Sequence, residues 1–189
     1  LNDIYNEFSN FPFTYELIIS NNASSDDTDA VVESWSKKLP IFYIKQAENI
    51  GGARNIEDAF AHASGLFSMY LADDDFLDCN GLTDAIFMLM RNPEAAILYA
   101  PWKLIRLQNK ASNQQSYKVP TDLVFDQGDY KNLLSTILNH HIFLEMYIFR
   151  NSYYQELRKG QSEIAHSSFT IPTEWISVGQ IVIMKKPFY

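Results

Sequence analysis

The chain of 189 residues has the length of about one domain and the composition of a folded protein. Apolar residues make up 47% and charged residues 20%, which excludes a disordered tail, a collagen-like fibre and a coiled coil. The net charge of −8 argues against nucleic-acid binding, which needs a basic surface. The single cysteine, Cys79, allows no internal disulfide and fits a reducing compartment.

The negative charge is concentrated in the first half of the chain. Residues 1–95 carry 16 acidic and 5 basic side chains, whereas residues 96–189 carry 7 and 10. In a folded segment this excess favours carboxylates that hold a divalent cation. A solvated acidic surface is the alternative that charge alone leaves open.

The first half alternates short apolar runs with helical patterns. Strands separated by helices predict right-handed crossovers and a mainly parallel sheet. In chain order, the predicted elements are a strand at 15–20, a helix at 27–37, a strand at 41–45, a helix at 52–63, a strand at 66–71, a helix at 80–91 and a strand at 95–99.

The second half is less regular and predicts a mixed α+β arrangement. Its helical spacing is clearest after Asp129, whose charge suits the positive end of a helix. The predicted elements are strands at 102–107 and 117–124 around a polar turn at 110–115, a helix at 129–139, a strand at 146–149, a helix at 152–159 and a strand at 180–184.

Three consecutive carboxylates, Asp73, Asp74 and Asp75, come directly after the predicted strand at 66–71. In open α/β sheets, ligands bind beyond the carboxyl ends of the strands. Alternate side chains of an extended segment share a side, so Asp73 and Asp75 face one ligand while Asp74 faces the other way. Mg2+ and Mn2+ take one or two carboxylates together with substrate phosphates. An acidic loop that caps the next helix is the alternative.

A second polar cluster follows the strand at 15–20. It runs from Asn21 through Asn22, Ser24 and Asp26 to Thr28, and its short side chains suit hydrogen bonds to a base or a ribose. Capping of the next helix is the alternative for this cluster.

A third cluster follows the strand at 41–45 and opens a helix. It begins at Asn49 and includes Gly51, Arg54 and Asn55. Glycine lets the backbone approach a ligand, and a helix N-terminus beside an arginine favours an anion. The spacing is neither that of a dinucleotide-binding turn nor that of a phosphate-binding loop.

These three motifs, in this order, resemble the nucleotide-sugar half of the family-2 glycosyltransferases, which have the GT-A fold. The resemblance covers about residues 15–80 through IISNNASSDDT, NIGGARN and YLADDDFL, and continues loosely through MYIFR at Met146–Arg150. It implies an α/β fold with a GT-A-like, mainly parallel sheet flanked by helices. It also implies a nucleotide-sugar-binding half at 1–100 and a mixed α+β acceptor half at 101–189.

The resemblance implies a nucleoside-diphosphate sugar as donor, with a UDP-sugar as the first choice. Where the family has Asp-Asn this chain has Asn21-Asn22, which can accept from a pyrimidine N–H but lacks the charge. The residues carried over to donor binding are Asn21, Asn22, Ser24, Asp26, Asn49, Gly51, Arg54, Asn55 and Asp73.

The D-x-D region of the family falls on the acidic motif, with Ala72 at the position of the usual first aspartate. The resemblance therefore implies Asp74 as the principal ligand of Mg2+ or Mn2+ and Asp73 as a second ligand. Asp75 is assigned to the catalytic group, beside the sugar.

An inverting member of the family needs a carboxylate base that removes the proton of the acceptor hydroxyl. The family carries this base roughly two dozen residues beyond the strand that MYIFR resembles, at the acidic start of a helix. Glu174 lies at that distance and is the predicted base, and Glu163 and Glu145 are the alternatives. The aromatic candidates for stacking on an acceptor sugar, each with a core or rim position as the alternative, are Trp102, Trp175, Tyr153 and Tyr154.

The resemblance thus predicts a metal-dependent glycosyltransferase that transfers a sugar with inversion to a glycan or a lipid-linked acceptor. It implies a cytoplasmic protein and leaves open a peripheral association with the inner face of the membrane. A sugar-phosphate nucleotidyltransferase and an inactive module that binds sugar nucleotides or glycans are the alternatives. The family's first, central strand has no counterpart ahead of LNDIYNEF, so we expect the sequence to be incomplete at its N-terminus.

Overall fold

The structure, a computed structural model, describes residues 1–104, 114–159 and 170–188. The chain divides into two compact units, Leu1–Ser68 and Met69–Tyr189. This division falls before the predicted limit of the two functional halves at residue 100, because the strand at Ala95–Ala100 belongs to the core of the second unit. Glu163, one of the alternative bases, lies outside the described residues.

Two parallel strands form the sheet of the first unit. Leu17 lies opposite Ile41, and the register continues to Asn21 opposite Lys45, so both strands end at the same edge. The loops that follow them therefore begin side by side. The elements of this unit are α1 (Asn2–Glu7), a 3-10 turn (Phe8–Asn10), β1 (Leu17–Asn21), α2 (Thr28–Trp35), β2 (Ile41–Lys45) and α3 (Gly52–Ala61).

A mixed five-stranded sheet forms the centre of the second unit. Its elements are β3 (Phe67–Met69), which spans the division, α4 (Cys79–Arg91), β4 (Ala95–Ala100), β5 (Leu123–Phe125), α5 (Tyr130–Asn139), β6 (Met146–Arg150), α6 (Asn151–Arg158), α7 (Thr170–Val178) and β7 (Gln180–Ile183). The strand order is β3-β6-β4-β7-β5. β4 pairs parallel with β7 and antiparallel with β6, and β5 pairs antiparallel with β7.

The core of the second unit lies around β4, which is buried along its whole length because it is the middle strand. The helices α4 and α7 pack against it, and α6 packs against β6 and α7. The ring of Phe149 lies 4.9 Å from that of Tyr154 and 5.3 Å from that of Trp175, between ring centres. Tyr154 and Trp175 are each 3% exposed and therefore belong to the core. For both residues a core position was the alternative to stacking on an acceptor sugar.

The predicted α/β class and the parallel strand pairing are confirmed. The predicted strand at 117–124 is wrong for 117–122, since pairing begins at Leu123 and Val124 pairs with Val182 of β7. Of the predicted strand at 102–107, residues 105–107 lie outside the described part of the chain, and Lys103 forms a single antiparallel bridge with Gln115. Sequence patterns did not predict α7.

Candidate functional site

The acidic motif forms a turn shortly after β3. The Asp75 amide donates to the Ala72 carbonyl at 3.3 Å, and this closes the turn. Asp73 and Asp74 are exposed, whereas Asp75 is half-buried. Burial, followed by the charge of Asp74, raises the pKa of Asp75 above its ordinary value. The turn therefore holds three crowded carboxylates whose mutual repulsion a bound cation would relieve.

The donor set of this acidic turn suits a hard divalent cation. Within the described residues, no three His, Cys, Asp or Glu side chains are grouped so that they could hold a metal ion by themselves. Mg2+ and Mn2+ do not need such a group, since they retain water and bind substrate phosphates beside one or two carboxylates. The exposed oxygens of Asp73 and Asp74 fit that partial role.

Asn21, at the end of β1, is buried and fully engaged inside the first unit. Its amide nitrogen donates to the Tyr43 hydroxyl at 2.7 Å and to Asp29 at 3.3 Å, and its amide oxygen accepts from the Ser24 backbone at 2.8 Å. Hydrogen bonds from Lys45 and then from Tyr43 lower the pKa of Asp29. In this arrangement Asn21 shapes the loop after β1 and presents no free amide group to a ligand.

Asn22 ties the loop after β1 to the loop after β2. Its nitrogen donates to the Asn49 side-chain oxygen at 3.0 Å, and its oxygen accepts from the Ile50 backbone at 2.9 Å. Asn49 also accepts from the Gly51 backbone at 2.9 Å. Gly51 has a φ of +87°, a conformation that favours glycine, and α3 begins directly after it.

Asn55 extends this arrangement to the first turn of α3. Its side chain accepts from the Ser20 hydroxyl at 2.7 Å and donates to the Ser20 carbonyl at 3.1 Å. Arg54 beside it is exposed and makes no hydrogen bond or ion pair with other described residues. Asn22, Asn49 and Asn55 thus join the loops after β1 and β2 by hydrogen bonds, and the exposed cation Arg54 lies beside Asn55 in the sequence.

The two remaining donor-binding candidates lie on the surface of the loop after β1. Asp26 accepts from the backbone amide and the hydroxyl of Thr28, and the hydroxyl contact is the main reason that its pKa is lowered. This contact closes a turn at the start of α2, whose N-cap residue, Asp27, makes no side-chain capping hydrogen bond. The Ser24 side chain is exposed.

We expect Asn21→Ala to lower the free energy of unfolding by about 1–3 kcal/mol, because the Tyr43 hydroxyl and the Ser24 amide lose a buried partner. Denaturant titration measures the change. Ser24→Ala removes only an exposed hydroxyl and serves as the matched control, with an expected change within about 0.5 kcal/mol. If Asn21→Ala were as stable as the wild type, this structural role would be wrong.

Glu174 lies in the middle of α7. The resemblance had implied a position at the start of a helix. The helix begins at Thr170, and Pro172 is accommodated in its first turn, where a backbone N–H has no intrahelical partner. Trp175 and Ile176 bury the inner side of the helix, and the Glu174 side chain is half-buried. Glu145, one of the alternatives, accepts a hydrogen bond from the Trp102 indole at 2.9 Å.

A row of tyrosines connects the surroundings of Glu174 with the acidic turn. The pKa of Tyr99 is raised by burial, then by Tyr147, and then by the charge of Glu174. Burial, followed by Tyr154 and Tyr70, raises the pKa of Tyr147 to about 12. Burial and the three aspartates of the turn raise the pKa of Tyr70.

This row brings together residues of the second unit that the sequence analysis treated separately. Tyr99 and Tyr147 lie directly opposite each other on β4 and β6, with ring centres 6.0 Å apart. Glu174 is an electrostatic neighbour of Tyr99, and the acidic turn is a neighbour of Tyr70. Sequence patterns did not single out these tyrosines, although Tyr70 stands three residues before Asp73.

Comparison with known proteins supplies independent information. Residues 2–158 match the family model described as glycosyl transferase family 2. The abequosyltransferase RfbV of Salmonella typhimurium is 33% identical over 79 residues, which cover 41% of this chain and 23% of that protein.

Two examples illustrate the solved structures with a similar fold. TarS 1-349 of S. aureus in complex with UDP-GlcNAc matches with a TM-score of 0.73 and 18% identity, over 100% of this chain and 52% of that one. The mannosyltransferase PcManGT of Pyrobaculum calidifontis, in complex with GDP-Man and Mn2+, matches with a TM-score of 0.54 and 16% identity. That match covers 91% of this chain and 48% of the mannosyltransferase. This chain therefore spans about half the length of both solved proteins.

No helix in the described ranges is long and apolar enough to cross a membrane.

Proposed function

Because the chain belongs to glycosyl transferase family 2, we propose that it transfers a sugar from a nucleoside-diphosphate sugar to a hydroxyl of a glycan or a lipid-linked acceptor. The family membership confirms the resemblance found in the three sequence motifs. The observation that carries the proposal is the strand order β3-β6-β4, in which the acidic turn follows β3 and the helix of Glu174, α7, packs against β4. Transfer with inversion and dependence on a metal are part of the proposal.

The polar loops of the first unit supply the donor-binding residues of this proposal. Their asparagine side chains fix the backbone, so recognition of the base and ribose falls to the backbone groups and exposed side chains of those loops. Ser24 and Arg54 are such exposed side chains, and Arg54 suits an anionic diphosphate. The solved relatives bind UDP-GlcNAc in one case and GDP-Man with Mn2+ in the other, which supports a donor of this chemical class.

The acidic turn of the second unit supplies the metal ligands. Asp74 and Asp73 would hold Mg2+ or Mn2+ through their exposed oxygens. When bound, the cation neutralises the charge of the departing nucleoside diphosphate. Asp75, which is half-buried and has a raised pKa, is proposed to accept hydrogen bonds from hydroxyls of the donor sugar.

Glu174 is proposed as the general base. Its carboxylate takes the proton of the acceptor hydroxyl while that oxygen attacks the anomeric carbon from the side opposite the diphosphate, and the configuration is inverted. Glu174 is half-buried in α7, which keeps it on a rigid element. Glu145, whose carboxylate accepts a hydrogen bond from the Trp102 indole, is the alternative base among the described residues.

A panel of UDP-, GDP- and CDP-sugars tests the proposed function. We expect slow hydrolysis of at least one donor in the presence of Mn2+, seen as release of the nucleoside diphosphate. EDTA should abolish this release. Equal release in EDTA contradicts the metal role, formation of pyrophosphate indicates the nucleotidyltransferase, and binding without release indicates an inactive module.

A further inference from the structure

The Tyr99 hydroxyl is a polar group buried in the core of the second unit. Tyr99 is 0% exposed, and its hydroxyl has no hydrogen-bond partner among the described residues. A buried hydroxyl without a partner destabilises a protein, because it has lost its bonds to water. Phenylalanine would fill the same space without this loss of stability, so the hydroxyl does not serve the packing of the core.

Tyr99 lies on the face of the sheet against which α7, the helix that carries Glu174, packs. Tyr99 stands one residue before the end of β4, on the sheet face where Tyr147 lies directly opposite and Phe149 contacts Trp175 of α7. The charged and titratable groups that act on it are Tyr147 of β6, Glu174 of α7 and Tyr117. Among these, Glu174 is the carboxylate and thus the natural hydrogen-bond acceptor.

The Tyr99 hydroxyl is protonated at neutral pH and can therefore donate a hydrogen bond. Burial, together with its three neighbours, raises the pKa of Tyr99 well above its ordinary value. The phenol therefore keeps its proton at neutral pH. Its backbone carbonyl accepts from the Met184 amide at 2.8 Å, so the position of the ring is fixed by the pairing of the strands.

We propose that Tyr99 is a positioning residue for Glu174, and that its hydroxyl donates a hydrogen bond to the Glu174 carboxylate after a side-chain rotation of that half-buried glutamate. The bond holds the carboxylate in one orientation, with its second oxygen directed at the acceptor hydroxyl. This inference rests on the proposed function, in which Glu174 is the base.

Tyr99→Phe tests the proposal, because it removes the hydroxyl and keeps the ring. We expect the thermal midpoint to stay the same or rise, kcat to fall about 10-fold and the KM for the donor to stay unchanged. A hydrogen bond to the charged form lowers the pKa of a carboxyl group. The acidic limb of the kcat profile should therefore move to higher pH by about 0.5–1 unit in the variant.

Tyr117→Phe is the matched control. Its hydroxyl donates to the Met184 carbonyl at 3.4 Å, so its removal should lower the thermal midpoint and leave the pH profile in place. A Tyr99→Phe variant with a lower midpoint and an unchanged pH profile would show a structural role and overturn the proposal.

A second measurement separates this proposal from the assignment of the base. Carbon-13 NMR of labelled glutamate, with the Glu174 signal assigned through Glu174→Gln, gives the pKa of Glu174 without any catalysis. We expect this pKa to be higher in Tyr99→Phe than in the wild type. An unchanged pKa overturns the Tyr99 proposal even if Glu174→Gln has lost activity. If the pKa of Glu174 is raised in Tyr99→Phe but Glu174→Gln is fully active, the contact between Tyr99 and Glu174 exists and Glu174 is not the base, which contradicts the proposed function.

Discussion

Replacing Glu174 with glutamine is expected to lower the rate of sugar transfer by about 100-fold or more, the effect typical of losing a positioned general base. Glutamine keeps the size and shape of the side chain and removes its basicity. Because Glu174 is proposed to contact the acceptor hydroxyl and not the nucleotide, the Kd of the donor should stay within about twofold. Transfer assays at saturating donor, together with calorimetric titration of UDP, measure both quantities.

Glu145→Gln and Glu163→Gln are the controls for this variant. Glu145 already binds the Trp102 indole, so its replacement should affect transfer far less than that of Glu174. If one of the controls abolishes transfer while Glu174→Gln stays active, the base is that residue. If all three variants stay active, the reaction retains the configuration or takes its base from another group.

The strands and helices of the first half could be predicted because their signals are local. The run Ile41–Lys45 is rich in β-branched and aromatic residues, and the predicted strand agrees with the structure at both ends. Asp78 accepts from the backbone of Asn80 and Gly81, which explains why α4 begins where a capping residue precedes the apolar periodicity. Such features depend on neighbours within a few residues.

The elements that the sequence patterns missed depend on distant contacts. β5 exists because Leu123, Val124 and Phe125 pair with β7, almost 60 residues later in the chain. α7 contains Pro172, which reads as a helix breaker, and the helix is held by Trp175 and Ile176 against the sheet. Local propensity carries no information on either contact.

The residue types of the candidate site could be predicted from the sequence, but the hydrogen-bond partners of each side chain could not. The asparagines that follow β1 and β2 were found from their position in the sequence. The sequence could not show that the side-chain amides of Asn21 and Asn22 form hydrogen bonds within the first unit. Tyr99 escaped notice because a tyrosine in an apolar strand looks like any core residue. Only the partner of its hydroxyl, which is a tertiary property, distinguishes it from phenylalanine.

Asp74→Asn should abolish the stabilisation of the protein by a nucleoside diphosphate with Mn2+. A ligand at about 100 times its Kd stabilises a folded protein by about 2.7 kcal/mol, which raises the thermal midpoint of a chain of this size by about 5–10 °C. We expect such a rise for the wild type with UDP and Mn2+, and no rise in EDTA. The variant should show little rise in either condition, because the principal ligand of the cation is gone.

The unliganded variant gives this experiment its internal check. Burial, followed by the charge of Asp74, raises the pKa of Asp75, and the second of these causes means that the two carboxylates repel each other in the folded protein. Without ligand, Asp74→Asn should therefore unfold at the same temperature as the wild type or a higher one, and any lost response to ligand cannot come from damage to the fold. Asp84→Asn, which removes an exposed carboxylate paired with Lys186 at 3.2 Å, is the matched control and should keep the full response. A wild-type response in Asp74→Asn would move the cation to other ligands.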